Sequence, residues 1–129
     1  MQGWDLSMKC VMLDTNFLLV PAKFKVDVFA ELELLGYKPI VLSCVMSEVG
    51  KIASGRGKAG NEARIAQAII ELRKPRMIEA RGPVDRALLA RAAESSCAIA
   101  TNEAALIARA KKQGITVLRL RQRKFVEEA

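Results

Sequence analysis

The chain reads as an α/β domain built on a five-stranded, mostly parallel sheet. Three observations point there. Short apolar runs of strand length recur along its 129 residues. Each run is bounded by turn or cap residues, and segments of helical periodicity fill the gaps between them. That alternation gives a parallel sheet with helices on both faces, joined by right-handed crossovers.

The first strand is expected over Cys10 to Asp14, an apolar run that stops at a carboxylate. A helix over Lys25 to Leu35 ends at Gly36, a good stop because glycine tolerates the left-handed conformation. The second strand spans Pro39 to Ser43, and the helix Val45 to Ala53 takes Ser43 or Cys44 as its cap. Ala53 to Gly60 is rich in glycine and basic residues and is expected to be loose. Asn61 caps a helix running to Lys74, with Ile65, Ala68, Ile69 and Leu72 on one face. The third strand is Arg76 to Ala80. Gly82-Pro83 then precedes a helix over Val84 to Glu94, proline suiting its first turn. The fourth strand is Cys97 to Thr101. Asn102 leads into the helix Glu103 to Gln113, whose stripe is Leu106, Ile107 and Ala110, and Gly114 ends it. The last strand is Ile115 to Leu120. The basic stretch Arg119 to Lys124 alternates with Leu120, Gln122 and Phe125, which suits a charged edge strand and a phosphate contact equally. No internal repeat is visible, and the length suits one domain with one core.

Composition narrows the function. Hydrophobic residues make up 51% and charged residues 27%, the balance of a folded globular chain. No apolar run approaches a membrane span. Trp4 and Asp5 interrupt the start where a secretory signal would need its apolar segment, so a cytoplasmic location is expected. Cys10, Cys44 and Cys97 are odd in number and far apart. They read as small buried hydrophobes in a reducing compartment, without the spacing of a zinc site. There is no histidine, which removes Ser-His-Asp triads, Cys-His pairs and histidine-metal hydrolases. The net charge of +7 favours a polyanionic partner, while aromatic residues at 5% offer few platforms for base stacking.

The acids carry the chemistry. Asp14 lies at the carboxyl end of a strand, where open α/β sheets keep their sites. Asp85 falls in the first turn of one helix, Glu103 opens another, and Glu48 sits about a turn into a third. Each alone is also an ordinary cap, first-turn or solvated residue. Together, on one edge of one sheet, they would repel and raise one another's pKa values unless a cation intervened. Hard oxygen ligands without imidazole suit Mg²⁺ or Mn²⁺. Such an ion lowers the pKa of bound water and orients a phosphodiester. Asn16, Thr101 and Asn102 are placed to support the acids, or to act as plain caps. Arg56, Lys58 and Arg64, with Lys51 one turn from Glu48, are candidate phosphate contacts.

Two other patterns lead elsewhere. Gly55 to Gly60 fits a dinucleotide glycine motif, with Glu79 about where a ribose-binding acid belongs, but the glycines follow a helix rather than a strand. A strand-end Asp also opens the haloacid-dehalogenase phosphatases, which need a second aspartate two residues on. Here that position is Asn16.

The motifs resemble those of the PIN-domain nucleases over nearly the whole chain. Leu-Asp-Thr-Asn at 13 to 16 is similar to the family's opening Asp-x-Asn. Val-Met-Ser-Glu-Val at 45 to 49 resembles the second motif, and Val-Asp-Arg-Ala-Leu-Leu at 84 to 89 the third. Ala-Thr-Asn-Glu-Ala-Ala-Leu at 100 to 106 resembles the fourth, usually Thr-x-Asp, with Glu103 in the acid's place. The stretch 17 to 35 is most similar to archaeal members of the ribosomal-RNA processing (Fcf1-like) or toxin-like groups. The resemblance implies a three-layer α/β/α sandwich and an endoribonuclease that cuts single-stranded RNA by metal-activated water. Asp14, Glu48, Asp85 and Glu103 would be the catalytic and Mg²⁺- or Mn²⁺-binding set. Glu103 reaches one methylene further than aspartate, which implies either a shifted or weakened second metal with some loss of activity, or a single-metal site. Partners implied are single-stranded RNA, a second copy, and an antitoxin or ribosome-assembly protein; Phe24, Phe29 and Leu32 are either the surface for that second copy or part of the core. The alternative is a catalytically weak or inactive RNA- or protein-binding module in a ribosome-assembly complex.

Overall fold

The structure is a computed structural model and describes residues 8–129. Trp4 and Asp5 lie outside the described residues. One six-stranded sheet runs β3-β2-β1-β4-β5-β6. Its strands are β1 (Lys9–Leu13), β2 (Tyr37–Leu42), β3 (Arg76–Ile78), β4 (Ala98–Ala100), β5 (Val117–Arg121) and β6 (Phe125–Glu128). The first five pair in parallel, and β6 returns antiparallel to β5. The helices flanking it are α1 (Thr15–Leu18), α2 (Val20–Phe24), α3 (Val28–Leu34), α4 (Ser43–Ala53), α5 (Gly57–Arg73), α6 (Val84–Ser95) and α7 (Ala104–Lys112). Among the described residues, no helix is long and apolar enough to cross a membrane.

The sheet's centre is its driest part. Val11, Met12, Leu13, Ile99, Ala100, Val41 and Leu42 are all fully buried or nearly so, as expected of parallel strands covered on both faces. The strand order fixes where chemistry can go. The chain leaves β1 toward β2 and leaves β4 toward β5, so the connections diverge at the adjoining carboxyl ends of β1 and β4. That divergence opens a crevice at the switch point.

Several expectations from sequence are corrected. A sixth strand exists because Gln122 and Arg123 both take positive φ, 55° and 57°. They are the central residues of a β-turn closed by the Lys124 N–H donating to the Arg121 carbonyl, 3.0 Å, inside a three-residue hairpin loop between the paired Arg121 and Phe125. β5 is therefore interior and β6 forms the edge. The helix expected over 25 to 35 starts three residues later, at Val28, because Lys25 turns left-handed (φ 57°) after α2 and Asp27 caps α3 by accepting from the Ala30 N–H, 3.1 Å. Phe29 and Leu32 belong to the core, so neither is free to form an interface between copies.

The segment 53 to 60 is not loose. α4 ends at Ala53 and α5 starts at Gly57, with Asn61 inside the helix rather than capping it. The two helices meet closely: a Cβ built on Gly60 would lie 2.2 Å from the Gly55 carbonyl oxygen. α5 consequently buries Gly60, Ala63, Ala66 and Ile70, while Ile65 and Leu72 of the expected apolar face are 47% and 82% exposed.

The cysteines differ too. Val11 pairs with Ala98, which sets Cys10 beside Cys97 at the start of adjacent strands, and the two form a disulfide with Cα atoms 4.8 Å apart. Cys44 alone is a free thiol.

Candidate active site

Asp14 emerges from β1 into the crevice, 2% exposed, and caps α1. One carboxylate oxygen accepts from the Thr15 N–H at 2.8 Å. The other accepts from the Thr101 hydroxyl at 2.9 Å. The same hydroxyl accepts from the Glu103 N–H at 3.1 Å. Thr101, fully buried at the end of β4, therefore locks Asp14 and the start of α7 into one arrangement. Thr15 contributes its main chain only; its own hydroxyl is buried without a hydrogen-bond partner among the described residues.

Asp85 enters from the first turn of α6, which Pro83 starts without a side-chain cap. Glu103 is the residue immediately before α7. One carboxylate oxygen from each of Asp14, Asp85 and Glu103 lies within 4.8 Å of the others. Glu48, exposed on α4, lines the same cleft of about 470 Å³ but stands outside that triplet.

Burial pushes the Asp14 carboxyl above the ordinary aspartate range. The Thr101 and Thr15 hydrogen bonds pull it down in part, and the charges of Asp85 and Glu48 push it up again. Glu103, though at the exposed rim, is raised as well, by loss of solvent around its carboxyl first and then by Asp14 and Asp85. The cleft thus holds acids that resist ionising together. Three hard oxygen donors at this spacing fit a divalent cation, whose charge would remove the conflict.

The expected supporting residues divide. Thr101 touches Asp14. Asn102 faces away and pairs with Leu120: its amide donates to the Leu120 carbonyl and its carbonyl oxygen accepts from the Leu120 N–H, both at 2.8 Å. Asn16 is exposed on α1. Of the candidate phosphate contacts, Lys51 borders the cleft beside Glu48. Arg56 and Lys58 are exposed at the start of α5. Arg64 is engaged within the fold, donating to the Gly55 carbonyl at 3.1 Å and, more closely, to the Ala53 carbonyl and the Asn61 side chain. Glu79 is exposed and faces Arg81 at 3.6 Å. Two cations that the sequence reading passed over, Arg86 and Arg109, line the acidic cleft itself. Arg86 directly follows Asp85, and Arg109 lies two turns along α7 from Glu103, the only signals that could have marked them.

The profile of the family described as "PIN like domain" matches residues 11–123. The chain belongs to the PIN-like domain family. This PIN-like chain is 31% identical to Ribonuclease VapC9 of Archaeoglobus fulgidus, over 98% of its own length and 95% of that protein. It superposes on the PIN domain endonuclease Utp24 with a TM-score of 0.75 at 27% identity, covering 93% of this chain and 92% of that one. A structure of VapBC2 from Rickettsia felis, bound to a DNA fragment from their promoter, shares the fold: TM-score 0.63, 17% identity, 85% of this chain and 98% of the other.

Proposed function

We propose that this PIN-like chain is a metal-dependent endoribonuclease that cuts single-stranded RNA. The observation that carries the reading is the convergence of Asp14, Asp85 and Glu103 within 4.8 Å at the switch point of the sheet. The names of VapC9 and Utp24 support it, one a ribonuclease and the other an endonuclease.

Asp14, Asp85 and Glu103 would hold Mg²⁺ or Mn²⁺, with Glu48 in reach from the cleft wall. A bound divalent ion supplies a neutralising charge for the phosphodiester and lowers the pKa of water. The chain's own residues do the rest. Thr101 and the Thr15 N–H fix Asp14 so that its carboxylate needs no reorganisation when substrate arrives. The Thr101 hydroxyl also sets where α7 starts and so where Glu103 points. Arg86 and Arg109 bring positive charge to the acidic cleft, where phosphate oxygens would otherwise meet only carboxylates. With no histidine in the chain, proton transfer falls to carboxylates and water.

The test is cleavage of a single-stranded RNA in Mn²⁺ by the native chain and by Asp14→Asn and Asp85→Asn. Both variants are expected to keep the circular dichroism of the native fold and to lose cleavage by at least about a hundredfold. Undiminished cleavage by both would refute the reading.

A further inference from the structure

A second cleft, of about 580 Å³, adjoins the acidic one and shares Glu48, Pro83 and Val84 with it. We propose that this cleft, bordered by Lys51 and Arg81, seats one nucleotide of the single-stranded RNA next to the bond that is cut. The proposal rests on the ribonuclease reading above and adds where the strand lies.

The cleft has the size of a small-ligand pocket, and its floor is preformed. The Ser43 hydroxyl donates to the Ala80 carbonyl at 3.0 Å and accepts from the Ala80 N–H at 2.9 Å. This pair ties the start of α4 to the segment after β3, so the two walls cannot drift apart. Ala80, Pro83 and Val84 give an apolar surface that a base can lie against without sequence preference. Both cations are available. No carboxylate pairs with Lys51 among the described residues. Glu48 and Glu79 also line the cleft, but the 3.6 Å contact between Arg81 and Glu79 is long and largely exposed, an ion pair of little worth that a phosphate can displace. α4 and α6 both begin at this cleft without a side-chain cap, and their main-chain N–H groups add to its positive edge. Lys51 lies one turn along α4 from Glu48, so a strand whose scissile phosphate meets the acids has its neighbouring phosphate at Lys51 and Arg81. On the acids' side the cations are Arg86 and Arg109. Phosphates before and after the reacting one thus each meet positive charge, although the centre is acidic.

Cys44 lines this cleft and is the free thiol among the described residues. It can therefore report occupancy directly.

The experiment uses fluorescein-labelled ten-nucleotide oligouridine on the Asp14→Asn background, which keeps the RNA intact. Arg81→Glu and Lys51→Glu are each expected to weaken binding about five- to tenfold, and to shrink the slope of log K against log salt by about 0.7. Lys112→Glu, at the far end of α7, is the control and is expected to change binding less than about twofold. Saturating oligouridine is expected to slow alkylation of Cys44 by N-ethylmaleimide severalfold. In the otherwise native chain, Arg81→Glu raises KM and leaves kcat unchanged, and Mn²⁺ affinity measured by calorimetry stays at the native value. Binding by Arg81→Glu and Lys51→Glu equal to that of Lys112→Glu, or Cys44 alkylation indifferent to RNA, overturns the subsite. The two readings fail separately. Cleavage that ignores Arg81 and Lys51 removes the subsite and leaves the nuclease. RNA binding that depends on them, in a native chain that does not cut in Mn²⁺, removes the nuclease and leaves the subsite.

Discussion

Replacing Glu103 with glutamine should make the metal-free protein more stable and the metal-loaded protein less so. The magnitude follows from the spacing of the acids. Two unit charges at 4.8 Å repel by about 0.9 kcal/mol in water and about 3.5 kcal/mol at an effective dielectric of 20. Glu103 makes two such pairs, with Asp14 and Asp85. Its carboxyl stands at the exposed rim, so solvent screening holds the gain toward the low end, at about 1 kcal/mol. For a chain of this length that is a rise of about 3–5 °C in Tm. The glutamine amide can still donate to Asp14, so no partner is orphaned. Saturating Mn²⁺ reverses the order. An ion at a hundred times its Kd adds about 2.7 kcal/mol to the native chain, and the variant, short of a charged ligand, gains less. The pH dependence has a definite sign. Asp14 and Glu103 both have raised pKa values when folded, so the folded chain holds protons that the unfolded chain releases. Metal-free native protein therefore loses stability as pH climbs from about 4 through those raised values. The variant's advantage should appear over that climb and vanish in acid. The assay is urea or thermal unfolding of both proteins across pH, in chelator and in Mn²⁺. A glutamine variant no more stable than native in chelator at pH 7 would show that these carboxylates do not repel one another in the folded chain, and an undiminished Mn²⁺ increment would show that they do not share one ion.

Two further substitutions probe the supports. Thr101→Val keeps the shape but strips Asp14 of a donor and the Glu103 N–H of its acceptor. It should cost about 2–3 kcal/mol on denaturation, raise the Asp14 pKa further and weaken Mn²⁺ binding about 10- to 100-fold by calorimetry; native metal affinity in a folded variant would contradict the assigned role. Gly60→Ala sets its Cβ 2.2 Å from the Gly55 oxygen and 2.8 Å from the Gly55 carbon. Helix propensity favours alanine by about 1 kcal/mol, yet the overlap should leave the variant about 1–3 kcal/mol less stable, and a gain in the urea midpoint would mean that α4 and α5 are not packed so closely.

The placement of Asp14, Asp85 and Glu103 on one edge of the sheet was legible because their signals are local. Asp14 ends an apolar run, and Asp85 and Glu103 each follow helix-start residues, so strand ends and helix starts could be placed without knowing any contact. The parallel sheet followed from the same punctuation. What failed depended on contacts. On α5 the sequence offers two stripes, and hydrophobicity favours Ile65, Ala68, Ile69 and Leu72. The fold buries the smaller one, Gly60, Ala63, Ala66 and Ile70, because α4 approaches too closely for large side chains. Arg64 looked like a phosphate contact, since the carbonyls of Ala53 and Gly55 that hold it leave no trace in a side-chain pattern. The final hairpin was hidden by its turn, where Gln122 and Arg123 take positive φ that glycine or asparagine normally announces. The disulfide needed the β1–β4 register, which no spacing of Cys10 and Cys97 in the chain reveals.

That crosslink has a consequence for a broken chain. Its two sulfurs join positions 87 residues apart, and the short connection between α4 and α5 lies inside the span. A protease nicking there would leave both pieces tethered, with β1 still laid against β4. Under oxidising conditions the cut protein should run as one species and separate into two only with thiol present, its acidic crevice keeping company with the threonine that steadies it until then.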